Sequence, residues 1–343
     1  MKHLLNTLFI NSEDAYAALD GENVVIKQED KIAGRFPLHI LEGIYIFSYS
    51  GASPALMGKC AKMGIDLVFM TPRGRFLART SGESRGNVLL RRMQYRIADD
   101  TFQSCCIARN FIFGKVCNAR RVADRTRRDH ALRIDEQKFL AASDQMKDLL
   151  PQIMEETSLD SLRGLEGAAA TIYFGVMDDM ILQNKDDFFF HTRNRRPPLD
   201  NVNAMLSFIY VMLGNDCASA LEMVGLDSYV GFLHRDRPGR TSLAQDLLEE
   251  LRPCMADRFV ITMINDRIIS GDDFQKQENG SVLLTVEGKK KIQKEWQNKK
   301  QTVITHPFLK EKIEWGMVPY VQALLLARHI RGDLDAYPPF LWK

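Results

Sequence analysis

The apolar positions follow one pattern before about residue 90 and another after it. In the first part, short β-branched and aromatic runs recur at Leu8 to Ile10, Val24 to Ile26, Ile44 to Tyr49 and Ile65 to Phe69, separated by turn-forming residues. Such runs predict strands, with Asp20-Gly21 and Pro72-Arg73-Gly74 as hairpin turns. One helix interrupts them: Ser53 can cap it, Pro54 suits its first position and Gly64 can close it in a left-handed conformation. In the second part, apolar residues fall three and four apart, predicting long helices over Val88 to Gly114, Gln137 to Leu150 and Ser161 to Met180. Strand character returns briefly at Val282 to Thr285, after an Asn279-Gly280 turn. The expectation is an α+β protein: a small β-rich domain over residues 1–90 and a larger all-helical domain over residues 91–343.

Composition narrows this only a little. The 343 residues exceed the usual length of one domain, and 45% hydrophobic with 26% charged residues is ordinary for a globular chain. Six cysteines show neither a CxxC pair nor regular spacing, which argues against a zinc ribbon or a disulfide framework and favours a reducing cytoplasm. The apolar stretch Leu4 to Ile10 is broken by Asn6 and Thr7, and no run approaches the length of a membrane span, so no membrane association is expected. The net charge is only +2, but basic residues cluster at Arg120, Arg121, Arg125, Arg127 and Arg128, at Arg193, Arg195 and Arg196, and at Lys289 to Lys291. Such patches suit a phosphate backbone, or else are solvated helix faces.

Three segments carry candidate chemistry. Glu166 lies one turn from Leu162 and Ala170 on an apolar helical stripe, where a carboxylate must be paired, protonated or bound to a cation. Arg163 or Arg193 could pair with it, and the flanking Gly164 and Gly167 would let another chain or a substrate come close. His234 ends the apolar run Val230 to Leu233 and precedes the basic loop of Arg235, Arg237 and Arg240, a setting for a metal-ligating imidazole or for a structural one. Ser242 and Gln245 have the spacing of a capping box at the start of a helix with Leu243, Leu247 and Leu251 on one face. Asp246 and Glu249 stand three apart on a neighbouring face, where their mutual repulsion would be reversed by a shared cation. Together these residues form an oxygen-rich donor set with one imidazole, suited to Mg²⁺ or Mn²⁺. Phosphate-binding P-loop, HExxH, GxSxG and GxGxxG motifs are all missing from the sequence.

An ordered series of motifs resembles the CRISPR-associated integrase-endonuclease family, the catalytic subunit of the spacer-acquisition complex, and within it the type I-C branch. The series comprises Leu19 to Val24, Gly51 to Met57, Arg163-Gly164-Leu165-Glu166-Gly167, Arg195 to Pro198, Asn203 to Phe208, Gly225-Leu226-Asp227, Gly231-Phe232-Leu233-His234, Ser242 to Glu249 and Leu251-Arg252-Pro253. By that resemblance Glu166, His234 and Glu249 take the places of the family's metal ligands, and Asp246 that of a nearby catalytic aspartate. Asp246 or Glu250 remains an alternative to Glu249 as third ligand.

The resemblance further implies a β-rich N-terminal domain that forms a homodimer, a small ferredoxin-like adaptation subunit as partner in a hetero-oligomer, and double-stranded DNA as substrate. The implied reaction is attack by the 3′-hydroxyl of a short foreign DNA on a phosphodiester at the repeat border of a CRISPR array. Arg237 and Arg240 are candidates for phosphate contact. A stand-alone nuclease acting on branched or single-stranded DNA would need the same metal site but neither partner nor repeat. A non-catalytic DNA-binding scaffold would need only the basic clusters.

Overall fold

The structure, a computed structural model, describes residues 6–12, 14–29, 31–72, 76–80 and 88–343. They fall into two compact units, one drawn from residues 1–86, 284–302 and 314–317, the other from 87–283, 303–313 and 318–343. The first is β-rich and the second mostly helical, the α+β organisation expected from the two apolar patterns.

The first unit contains β1 (Asn6–Ile10), β2 (Tyr16–Asp20), β3 (Asn23–Gln28), β4 (Lys31–Pro37), β5 (Leu41–Ile46), α1 (Pro54–Met63), β6 (Asp66–Met70) and β7 (Phe76–Arg79). Strands β2, β3 and β4 form an antiparallel meander. The others form a sheet of order β1-β5-β6-β7, in which β1 and β6 run parallel to β5 while β7 runs antiparallel to β6. Asp20 pairs with Asn23 across the two-residue turn that Asp20-Gly21 predicted, with Gly21 at φ 58°. The second expected hairpin turn falls at Arg73 and Gly74, outside the described residues, although β6 and β7 do pair. Ser53 accepts a hydrogen bond from the Leu56 N–H, Pro54 begins α1 and Gly64 ends it at φ 70°. Val24, Leu38, Ile44, Ile46, Leu56 and Leu67 make the core beneath this helix. The helix Val286–Lys300 also belongs to this unit, and its Gln293 accepts a hydrogen bond from Asn11 at 2.9 Å.

The second unit contains α2 (Val88–Asp99), α3 (Thr101–His130), α4 (Glu136–Glu155), α5 (Leu159–Gly175), α6 (Met177–Met180), α7 (Asn201–Met223), α8 (Ser242–Leu251) and α9 (Arg258–Asn265). With Val286–Lys300 counted as α10, the last helix is α11 (Val318–Ile330). Short strand pairs join β8 (Phe274–Lys276) to β9 (Val282–Leu284), and β10 (Val303–Thr305) to β11 (Lys312–Glu314). The single helix expected over Val88 to Gly114 is two helices. Asp100 breaks the pattern and caps α3, its carboxylate accepting from the N–H groups of Phe102 and Gln103 at 2.9 and 3.0 Å. Helix α3 then continues to His130, packed against α4, α5 and α8. Helix α7 is apolar and long enough to cross a membrane, but 67% of its most apolar window is buried and it packs as a core helix against α8 and α11.

The chain's last residues are tied into this helical core. Gly114 of α3 lets α8 and the tail come close, since a Cβ there would lie 3.0 Å from the Cβ atoms of both Glu250 and Pro339. One turn on, the Asn118 amide donates to the Glu250 and Phe340 carbonyls, both at 2.7 Å, and accepts from the Trp342 N–H at 2.9 Å. The buried Glu250 carboxyl accepts from the Tyr337 hydroxyl, from Gln322 at 2.9 Å and from the Phe340 N–H at 3.1 Å. The Trp342 ring lies under the guanidinium groups of Arg258, at 4.5 Å, and Arg125, at 5.5 Å. Much of the arginine cluster on α3 therefore serves the fold. Arg121 donates to the Trp342 carbonyl, Arg120 to Ser143, and Arg127 pairs with Glu136.

Burial pushes Glu250 up to about 7 despite its three donors, and Asp257 up to about 6. An unfolded chain ionises both groups at their ordinary lower values. Their contribution to stability is thus complete below about pH 4 and falls as the pH rises through 6 and 7. Glu250 alone amounts to about 3 kcal/mol by the linkage relation. The thermal midpoint should drop by several degrees between pH 5 and pH 8, and Glu250→Gln should flatten that slope. Melting curves at both pH values check this; an equal slope in the variant would show that Glu250 does not titrate in that window.

Candidate metal centre

Glu166 projects from α5, which starts at the Ser158 cap and packs against α3 and α4. Leu162, Ala169 and Tyr173 bury its apolar stripe, and Glu166 sits at the edge of that stripe with its side chain 28% exposed. Neither Arg163 nor Arg193 is its partner. Its Oε1 pairs instead with the ammonium of Lys115, a half-buried lysine on α3. At Gly164 and Gly167 an added Cβ would meet nothing within 4 Å, so that side of α5 is open.

His234 lies in the loop before α8 and is fixed by Asp246. One oxygen of this fully buried carboxylate accepts from the N–H groups of Phe232 and Leu233 at 2.6 and 3.0 Å. The other lies 3.0 Å from the His234 N–H and 2.6 Å from its ring Nδ1. Gly231 makes the approach possible, because a Cβ there would sit 2.8 Å from the Ser242 Cβ and 3.0 Å from the Asp246 Oδ2. Arg163 holds the loop from the other side through the Leu233 carbonyl at 2.6 Å. The expected capping box at Ser242 and Gln245 is not formed. Ser242 is the first residue of the helix rather than its cap, and its hydroxyl donates to the Arg235 carbonyl at 3.2 Å, closing the basic loop.

Glu249, one turn beyond Asp246, is 3% exposed. Its Oε1 lies 2.6 Å from Arg252 Nη1 and 3.8 Å from His234 Nε2, and its Oε2 lies 2.7 Å from Lys115 Nζ. Burial works against the charged carboxylate, but Arg252 and then Lys115 outweigh it and bring Glu249 down to about 2. Arg252 opens a π-helical turn, Arg252–Asp257, and is steadied beneath by the Tyr210 ring at 5.0 Å. Glu250 points away toward Tyr337 and the tail, which removes it as an alternative neighbour of Glu166. Asp246 is committed to the His234 loop.

Do these side chains suit a divalent ion? Among the described residues no three His, Cys, Asp or Glu side chains are gathered closely enough to encircle one. The Lys115 ammonium stands between the two glutamates instead, as a cation where the donor set calls for one. Its contact to Glu249 Oε2 is close but poorly directed, leaving that buried oxygen without a well-aligned hydrogen bond. Asp246 at Nδ1 orients the imidazole so that Nε2 faces Glu249, the arrangement by which carboxylates fix metal-ligating histidines. Two carboxylates, one of whose buried oxygens is held only by that poorly directed ion pair, and one imidazole are the donor types that a hard divalent cation takes.

Of the candidate phosphate contacts, Arg237 is exposed and Arg240 half-buried on the loop after His234. Partial burial and then the charge of Arg237 hold the Arg240 guanidinium below its usual value, as expected of a local positive field. A cleft of about 900 Å³ is lined by His234 itself, but Asp99, Asp160, Asp227 and Asp236 line it together with Arg163 and Arg235. It is no basic trough. Sequence reasoning missed Lys115 and Arg252. The signal was present for Lys115, which stands four residues after Phe111 and four before Ala119 on a buried stripe. Arg252 stands three residues beyond Glu249.

Comparison with known proteins bears on the same residues. The model of the family "CRISPR associated protein Cas1" matches residues 8–298. The chain is 48% identical to CRISPR-associated endonuclease Cas1 2 of Rhodospirillum rubrum, over the whole of both chains. Its fold is that of a casposase bound to integration product, with TM-score 0.85 and 24% identity over 98% of this chain and 94% of that one. It is also that of a component of a Cas6-RT-Cas1–Cas2 complex, with TM-score 0.81 and 22% identity over 98% of this chain and 36% of that one. The family model and the full-length relative agree with the motif series read from the sequence, and the chain belongs to the Cas1 family of CRISPR-associated proteins.

Proposed function

We propose that the chain is a divalent-metal-dependent DNA endonuclease and integrase that inserts short foreign DNA fragments into a CRISPR array. The observation that carries the reading is that Glu166 and Glu249 share one cation, the Lys115 ammonium, while His234 faces Glu249 at 3.8 Å with Asp246 fixing the imidazole. These three side chains would hold Mg²⁺ or Mn²⁺. The bound ion would supply Lewis-acid stabilisation of charge on the phosphate oxygens and ease deprotonation of the attacking hydroxyl.

The protein's own groups do the rest. Asp246 holds the His234 Nδ1 so that the other ring nitrogen is presented to the site. Arg237 and Arg240 neutralise phosphates next to it. The open face of α5 at Gly164 and Gly167 lets DNA come alongside Glu166. The 3′-hydroxyl of the incoming strand forms a new P–O bond as the bond to the leaving 3′-oxygen of the array breaks. One phosphodiester replaces another, so no protein nucleophile and no external energy source is required. Water in place of that hydroxyl gives strand cleavage.

In this reading the protein belongs to the type I-C branch, acts in the cytoplasm and dimerises through its β-rich unit. It works with a small ferredoxin-like subunit, as the presence of Cas1 and Cas2 in one complex of similar fold suggests.

The purified chain with its small partner should join a short duplex to a repeat-bearing plasmid in Mg²⁺ or Mn²⁺. Glu166→Gln should lower joining by at least about a hundredfold with the melting temperature little changed, the scale of losing an electrostatic catalytic group. Full joining by a folded Glu166→Gln variant refutes the site. Asp246→Asn and Gly231→Ala act only through His234 and should cost about ten- to a hundredfold. Cleavage without joining, independent of the partner, would instead identify a stand-alone nuclease. Arg237→Ala with Arg240→Ala should weaken DNA binding and reduce the salt slope of log Kd by about two, as titration at several salt concentrations would show.

A further inference from the structure

Lys115 has no catalytic role in the reading above, yet it touches both glutamates of the site. Its ammonium pairs with Glu166 and, at 2.7 Å, with Glu249, two of the three side chains assigned to the ion. It comes from α3, a different element from either glutamate. Glu166 and Glu249 face one ammonium and one guanidinium, Arg252, with the His234–Asp246 pair alongside. A divalent ion added with Lys115 in place would crowd a third cation against the same two carboxylates. The two cationic side chains are also held differently. Arg252 is planar, stacked on Tyr210 and anchored on the π-helical turn. Lys115 is a point charge on a flexible stem, and its contact to Glu249 Oε2 is poorly directed.

We infer that Lys115 is a resident counterion that competes with the divalent ion for the space between Glu166 and Glu249, and that it swings out when the ion is taken up. Lys115 is a positioning residue: it keeps the two carboxylates apart and ready in the metal-free protein, and it sets the metal affinity by the cost of its displacement. This reading rests on the metal site proposed above. It predicts that the metal-free protein does not collapse or open when the ion is lost, because a cation is always present.

The test is Mn²⁺ binding by the full-length protein, with free Mn²⁺ followed by electron paramagnetic resonance. Lys115→Met keeps the aliphatic bulk and removes the charge; Lys115→Gln also keeps a donor, in case the methionine variant does not fold. Both should bind Mn²⁺ at least tenfold more tightly than the wild type. Their melting temperatures should be lower without metal and should rise more on Mn²⁺ addition. Lys115→Arg, which retains the charge, should stay near or below the wild-type affinity.

A purely structural lysine would lower stability without tightening the ion, so unchanged or weaker Mn²⁺ binding by folded Lys115→Met or Lys115→Gln overturns the proposal. A Glu166→Gln control separates the two readings. If wild-type binding depends on Glu166 and the Lys115 variants bind no more tightly, the counterion proposal alone fails. If the wild type shows no Glu166-dependent Mn²⁺ binding, the metal site fails, and the counterion with it.

Discussion

Glu249 carries its charge in a place almost closed to water, and the helical unit is built around neutralising it. An unpaired charge there would cost several kcal/mol. Each compensating group comes from a different direction. Lys115 reaches across from α3, Arg252 from the π-helical turn after α8, and His234 from the preceding loop. For α3 to bring Lys115 this close, its neighbour Gly114 must be small enough for the α3 backbone to meet Glu250 and Pro339, and Asn118 must bind both α8 and the tail. The tail residues Tyr337 to Trp342, remote in sequence, thus help set the distance between Lys115 and Glu249.

The three acids of α8 divide the work by where they point. Asp246 faces the loop and spends both oxygens on backbone N–H groups and the imidazole. Glu249 faces cations and is held far below the ordinary carboxyl range. Glu250 faces the core and the tail, where neutral donors replace cations, and rises to about 7. Neighbouring carboxyls in one helix are pushed in opposite directions because only one of them has positive charge nearby.

That division was partly legible in the sequence. The fold class, the Ser53-Pro54-Gly64 helix and the Asp20-Gly21 turn could be read because local chemistry determines them. The grouping of Glu166, His234, Asp246 and Glu249 was legible through the order of the motifs, and the structure brings those elements together. What the sequence hid was pairing at long range. Glu166 was weighed against arginines near it in sequence, while its partner is a lysine fifty-one residues away on another helix. The arginine cluster of α3 read as a nucleic-acid patch or a solvated face, because nothing local says that Trp342 will slide beneath Arg125 or that Arg127 will meet Glu136. Ser242 looked like a cap by spacing, and only the return of the basic loop gives its hydroxyl another partner.

The choice of a lysine at position 115 and an arginine at position 252 follows from the same electrostatics. Both neutralise Glu249, but an arginine donates through a rigid planar fork and holds one geometry, whereas an ammonium can approach an oxygen from many directions and leave it with little rearrangement. Arg252 is braced by Tyr210, itself bonded to Asp257, so the guanidinium has a fixed seat even if the carboxylate it binds takes on a second partner. Among the described residues no aromatic ring stacks on Lys115, which is held by its two glutamates. A site that must be stable both with and without a divalent ion needs one cation that stays and one that yields, and these two residues differ in that respect.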